Sequence, residues 1–132
     1  MPVTQLSLAV VGADFPNKRG PGRCFEIALC IPGEPVDLVR EPKNPADPRA
    51  VAVFSARGVQ IGYLTAERAP WIGAMIGVGR EIRTVFQSAS SYGAVIRIAF
   101  DGEEPTLPAE PEPAAKQQDD SDFYPDFIPP DD

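Results

Sequence analysis

Apolar residues recur along this chain with two periods, and each period predicts a different element. Gln5–Ala13 (QLSLAVVGA) has the apolar density of a buried strand. Asp14–Gly22 then breaks the pattern with Pro, Gly, Lys and Arg. Arg23–Ile31 (RCFEIALCI) is mostly apolar or alternating and predicts a second strand. Pro32–Pro35 predicts a turn and Val36–Arg40 a short strand. Two apolar runs, Arg49–Phe54 and Val59–Leu64, flank a turn at Ala56–Gly58, and Arg80–Gln87 and Ala94–Phe100 read as the last two strands. Between Thr65 and Val78 the period lengthens. Trp71, Ile72, Met75 and Ile76 share one helical face, Thr65 is placed to cap the helix, and Pro70 fits only its first turn. Trp71 is expected to plug one end of the fold. The glycine-rich IGAMIGVGR (72–80) is a helix end and turn. It lacks the G-x-x-x-x-G-K-[ST] spacing of a phosphate loop and follows a helix rather than a strand. Six or seven short strands with one or two short helices predict a mostly β, closed or nearly closed barrel.

From Asp101 the composition changes, dividing the chain into a folded unit, residues 1–100, and a tail, residues 101–132. The tail is proline-rich and acidic, with too few aliphatic residues to offset the entropy of ordering, so it is expected to be disordered. The overall charge of −7 hides this division: residues 1–100 carry +3 and residues 101–132 carry −10. A mildly basic domain thus bears a strongly acidic tail. The last stretch, SDFYPDFIPPDD (121–132), interleaves Phe123, Tyr124, Phe127 and Ile128 with aspartates, the composition of a segment that docks on a protein.

Several function classes are disfavoured. The chain has no histidine, neither cysteine has an imidazole partner, and no carboxylate cluster has metal-ligand spacing. The expectation is a protein without catalytic residues, metal or cofactor. Cys24 and Cys30, six apart on the strand predicted for 23–31, would share one face as reduced, half-buried thiols unable to pair within it. No apolar run approaches the roughly 18–20 residues that span a bilayer, and residues 1–23 lack the pattern of a signal peptide. A cytoplasmic monomer without membrane contact is the expectation.

Glu41–Pro48 (EPKNPADP) carries the most specific signal. Pro42, Pro45 and Pro48 fix φ at three points, and Asn44 and Asp47 can fold back onto nearby amides as Asx-turns, so one well-defined shape is expected. REPKNPADPRAVAV (40–53), then GVQIGYL (58–64), then Ala69, with LAVVGADF (8–15) as the opening strand, resembles the HIRAN domain from about Leu6 to Phe100. The resemblance implies a small OB-like β-barrel. It implies a domain found fused to helicase and nuclease domains and as short stand-alone bacterial proteins, whose best-understood activity is capture of the 3′ end of single-stranded DNA.

The resemblance also implies a site. Phe15 falls where the family places an aromatic that stacks on a terminal base, a contact worth about 1–3 kcal/mol, and it reads equally as a loop-anchoring Phe. Asn44 and Asp47 match loop positions that bond the terminal nucleotide. A carboxylate there suits a 3′-hydroxyl and repels a 3′-phosphate. Both residues equally serve their own turns. Tyr63 sits where a polar aromatic or His faces the nucleic acid, and otherwise is a barrel-rim Tyr. Lys18, Arg19 and Arg23 in one loop, with Arg40, Lys43 and Arg49 flanking the other, would surround the pocket with phosphate-binding cations. Among these, Lys18, Arg19, Lys43 and Arg49 are the phosphate contacts expected. Two positions depart from the family: Ala46 replaces a second stacking aromatic, and Ala66 lies where some members carry a phosphate-binding Lys. The resulting expectation is a module that binds the 3′-hydroxyl end of single-stranded DNA in repair or replication-fork processing. The alternative is a protein-interaction adaptor whose tail recruits a repair or replication protein and whose barrel has little DNA affinity. The tail also has the charge to compete with DNA for the basic rim.

Overall fold

The computed structural model describes residues 4–108 and contains six antiparallel strands and two helices. The strands are β1 (Gln5–Val11), β2 (Asp37–Arg40), β3 (Val51–Phe54), β4 (Gln60–Leu64), β5 (Ile82–Ser90) and β6 (Gly93–Phe100). The helices are α1 (Arg23–Leu29) and α2 (Ala69–Gly77). One sheet runs in the order β2-β3-β4-β1-β6-β5. Its edges are drawn together by the residues that lead into β2. The Gly33 amide donates to the Phe86 carbonyl (2.8 Å), the Phe86 amide to Glu34 (2.8 Å), and the Val36 amide to Thr84 (3.1 Å). The sheet therefore curls into the barrel that the short strands predict.

Alternation sets what fills it. Leu8 pairs with Ile96, Leu6 with Ile98 and Val10 with Ala94. Leu8, Val10, Ile96 and Ile98 point to the inside with Val51, Val53, Ile61, Leu64 and Phe86, and together they form the core. The close approach of β1 to β4 depends on Gly62, where a Cβ would run into the Val11 carbonyl oxygen and lie 2.8 Å from Val10 Cγ1.

Helix α2 starts later than Thr65. Residues 65–68 form a turn in which the Arg68 amide bonds both the Thr65 carbonyl (3.1 Å) and hydroxyl (3.3 Å), and the helix follows with Pro70 in its first turn. It buries Ala69, Ile72, Gly73 and Met75. Trp71 does not plug the barrel: it is 42 % exposed, tilted against Phe100 at 5.8 Å and with the Arg68 guanidinium 5.6 Å from its ring centre. Ile72, one position on, takes the inward place because the helix turns by about 100° per residue.

The segment predicted as a strand at 23–31 is α1. Its buried face consists of Arg23, Glu26 and Ile27, at helical spacing, while Phe25 and Leu29 are exposed. Cys24 and Cys30 consequently do not share a strand face. Cys24 is exposed near the start of α1, and Cys30 caps its C-terminus, half-buried; both are free.

After β6 the chain crosses back over the sheet. Asp101 makes a two-pronged ion pair with Arg80 (2.8 and 2.9 Å), Glu104 pairs with Arg83 (2.8 Å), and Gln5 Nε2 donates to Glu103 (2.7 Å). The Thr106 amide donates to Gln5 Oε1 (2.9 Å). The aromatic tip predicted at 121–132 lies outside the described residues. No helix among the described residues is long and apolar enough to cross a membrane.

Candidate functional site

Two loops meet at the end of β1. The first, between β2 and β3, is held by local bonds of the kind its sequence predicts. The Glu41 amide donates to the Ala50 carbonyl (3.0 Å), which extends the β2–β3 ladder, and the Asn44 amide donates to the Glu41 carbonyl (3.0 Å). Asn44 Oδ1 accepts from the amides of Ala46 (2.9 Å) and Asp47 (3.2 Å), and Asp47 Oδ1 accepts from the Arg49 amide (2.9 Å). These are the Asx-turns expected of Asn and Asp beside proline.

The second loop, residues 12–22, is held by bonds within itself, by Arg23 at the start of α1 and by one bond to β4. Gly12 has φ +84°, the left-handed region that costs glycine least, and its carbonyl accepts from the Phe15 amide (3.1 Å) and from Arg23 Nη1 (2.8 Å). Asn17 Nδ2 donates to the carbonyls of Pro21 and Gln60, both at 3.0 Å, and Asn17 Oδ1 accepts from Arg23 Nε (2.8 Å). Arg23 is thus buried, with its guanidinium over the Tyr63 ring at 5.5 Å. A Cβ on Gly12 would lie within 3.6–3.9 Å of Arg23 Nη1, Tyr63 Cδ2 and Phe15 Cδ2, so these three side chains converge over the bare glycine. Phe15 is 67 % exposed.

Between the loops lies an open groove of about 920 Å³. Lys18, Arg19, Arg23 and Lys43 line it together with Asn44, Phe54, Gln60, Tyr63 and one carboxylate, Glu41. Five predicted site residues, Lys18, Arg19, Lys43, Asn44 and Tyr63, therefore share one concavity, and Phe15 stands beside it next to Tyr63 over Gly12. Asp47 and Arg49 belong to the far half of the loop and are not among the lining residues. Arg40 turns the other way, its side chain packed against Gly73 and Gly77 of α2. The six-cation rim is accordingly four cations, one of them tied down by Gly12 and Asn17.

Sequence reasoning assigned no role to Asn17 or Glu41. Glu41 Oε1 accepts from the Tyr63 hydroxyl (2.9 Å) and from Asn44 Nδ2 (2.9 Å), so it fastens the β2–β3 loop to β4. Its place in the R-E-P stretch was the available signal, but its partner 22 residues on was not.

A second polar cluster serves the fold. Buried Glu26 of α1 accepts from the Ser55 hydroxyl (2.7 Å) and Arg57 Nε (2.6 Å), and Arg57 also pairs with Glu34 (3.1 and 3.2 Å). The bonds from Arg57 and the Ile31 amide hold the Glu34 carboxyl below its ordinary range. Burial pushes the neighbouring Cys30 thiol up, against the pull of Arg57. The cluster locks α1 onto the β3–β4 turn.

The HIRAN domain family model matches residues 17–90. The fold is similar to the crystal structure of the HIRAN domain of human HLTF, with TM-score 0.58 and 23% identity, covering 74% of each chain. It is also similar to a crystal structure of a protein from Lactobacillus plantarum, with TM-score 0.54 and 16% identity, covering 74% of this chain and 93% of that one. Among curated proteins none matches the chain. The matched segment takes in the β2–β3 loop and, from Asn17, the second half of the 12–22 loop, and it exceeds half of the sequence: the chain belongs to the HIRAN domain family, a family of DNA-binding modules.

Proposed function

We propose that this domain captures the 3′-hydroxyl end of single-stranded DNA in the groove between its two loops. The observation that carries the reading is the convergence of exposed cations and aromatic faces there: Lys18, Arg19 and Lys43 on the lining, Tyr63 among them, and Phe15 alongside. Phosphates are drawn to such cations, and a terminal base to an exposed ring. In this reading Phe15 stacks on the base and Tyr63 forms the wall. Asn44 and Asp47 contact the terminal sugar or base edge, and Lys18, Arg19, Lys43 and Arg49 receive phosphates. Without a second aromatic at Ala46, affinity is lower by about one to two decades than with two platforms.

Fluorescence anisotropy with a short labelled oligonucleotide tests this, against a circular single strand that has no end. The linear strand binds more tightly, salt weakens it, and Phe15→Ala costs about 5- to 150-fold. Equal binding of linear and circular strands, or tight binding that survives Phe15→Ala combined with Asp47→Ala, refutes the assignment.

A second reading, a protein-interaction adaptor in repair or replication, is favoured by one observation: Phe25 and Leu29 on α1, with Ile31 just beyond it, are exposed apolar side chains. Absence of DNA binding, with capture of a protein that depends on residues 121–132, supports it.

A further inference from the structure

We propose that the exposed face of α1 is a docking surface for the aromatic tip of the same chain, residues 121–132, which lies outside the described residues. Helical spacing builds the face. Phe25, Ala28 and Leu29 stand at positions i, i+3 and i+4 and are exposed, and Ile31 and Pro32 prolong the strip past the helix end. From Cys24 to Gly33 the one charged residue is Glu26, and its side chain is turned inward onto Ser55 and Arg57. The surface is therefore apolar and carries no charge of its own, which suits a contact site better than a solvated helix face.

Area, reach and chemistry choose the occupant. Phe25 (62 % exposed), Leu29 (48 %) and Ile31 (62 %) together offer about 300 Å², at about 150–200 Å² for each side chain when fully exposed. A stable dimer buries about 800 Å² per partner, and two copies would each bring a net charge of −7 to the contact. A second copy is thus a poor fit. A short tethered segment needs far less area, because its tether supplies a local concentration on the order of 1 mM. Residues 109–122 separate Pro108 from Phe123 and span up to about 50 Å, more than the roughly 35 Å across a domain of this size. In the tip, Phe123, Tyr124, Phe127 and Ile128 match an apolar seat. Aspartates interleave with them and no Lys or Arg does, so a seat bearing free carboxylates would repel the segment. The α1 face has none. Lys18 and Arg19, exposed and without an ion pair among the described residues, stand in the loop that runs into its first turn, and at its far end the Glu34 carboxylate is taken up by Arg57. The same two loop cations line the groove, so a seated tip and a bound phosphate draw on shared charges.

The test is amide proton–nitrogen correlation NMR of the full isotope-labelled chain. Phe123→Ser, Tyr124→Ser, Phe127→Ser and Ile128→Ser, made together, should shift the amide signals of residues 24–32 and of Lys18 and Arg19, and leave those of β1 and β6 in place. The reciprocal pair, Phe25→Ser with Leu29→Ser, replaces exposed side chains, so the domain stays folded, with β1 and β6 again as the check. It should shift the amides of residues 121–128. Both sets of signals should hold their positions on dilution, as a contact within one chain requires. Unchanged signals in residues 24–32, changes confined to the β2–β3 loop, or changes that vanish on dilution as a second copy dissociates each overturn the proposal.

Discussion

Replacing Glu26 by Gln should cost the domain about 2 kcal/mol, because the change alters charge and almost nothing else. Glu26 is 1 % exposed, and a single oxygen, Oε2, receives both the Ser55 hydroxyl and Arg57 Nε. A hydrogen bond to a charged group contributes about 1.5–3 kcal/mol and a neutral one about 0.5–1.5, so neutralising the acceptor loses about 1 kcal/mol for each of the two bonds. The loss stays below the roughly 3–5 kcal/mol seen when a fully buried pair is broken, because the Arg57 side chain is 39 % exposed and water replaces part of what it loses. For a domain of this size the melting temperature falls by roughly 10 °C. Urea unfolding followed by far-UV circular dichroism, with Trp71, the single tryptophan, as a second probe, should show a lower midpoint at unchanged slope. The Arg57→Gln substitution should then cost less in the Glu26→Gln background than in the wild type, since its buried partner is already neutral while its two bonds to Glu34 remain. A loss below about 0.5 kcal/mol, or a gain, would mean that desolvation of Glu26 cancels its bonds, and the reasoning would be wrong.

Two further outcomes follow from the ionisable groups. Arg57 holds Glu34 below the ordinary carboxylate range and Arg80 does the same for Asp101, so the stabilisation is complete above the unfolded carboxylate pKa and is lost as pH falls through the lowered folded values. The melting temperature should be flat from about pH 7 to 5 and fall below about 4, and Arg80→Gln should flatten part of that fall; an identical acid profile in the variant would count against the Arg80–Asp101 pair. Burial raises the Cys30 thiol while Cys24 is exposed, so limited alkylation near neutral pH should label Cys24 first by mass spectrometry, and preferential labelling of Cys30 would contradict its packing beside Arg57.

The parts of this structure that were legible in sequence are those whose causes are local. Alternation gave β1, β3, β4, β5 and β6 within a few residues of their ends, and the Asx-turns at Asn44 and Asp47 close within three residues of their own side chains. Helix α1 was misread because its pattern is inverted. Its apolar Phe25 and Leu29 face outward, and its inward Arg23 and Glu26 are acceptable only because Asn17, Gly12, Ser55 and Arg57 satisfy them. Three of these partners lie 11 to 31 residues away, and no window of local sequence contains them. The groove was half-legible for the same reason. Its cations and Tyr63 carry their chemistry openly, whereas Glu41 gains its meaning only once β4 brings Tyr63 to it.

The strand that begins beside the returning C-terminal segment ends at the groove. The Phe100 amide bonds the Thr4 carbonyl (2.9 Å) and Gln5 holds Glu103 and Thr106, so the ways in and out of the barrel are side by side. Gly12, where Phe15 and Tyr63 meet, lies beyond the other end of β1, about 20 Å off at the usual rise of a strand. A unit with adjoining ends is readily spliced into a loop of a host chain, since the host needs to open only a narrow gap to receive it. Spliced there, the barrel would hold its groove outward like a hand at the end of an arm, with the host at its wrist and its grip unobstructed.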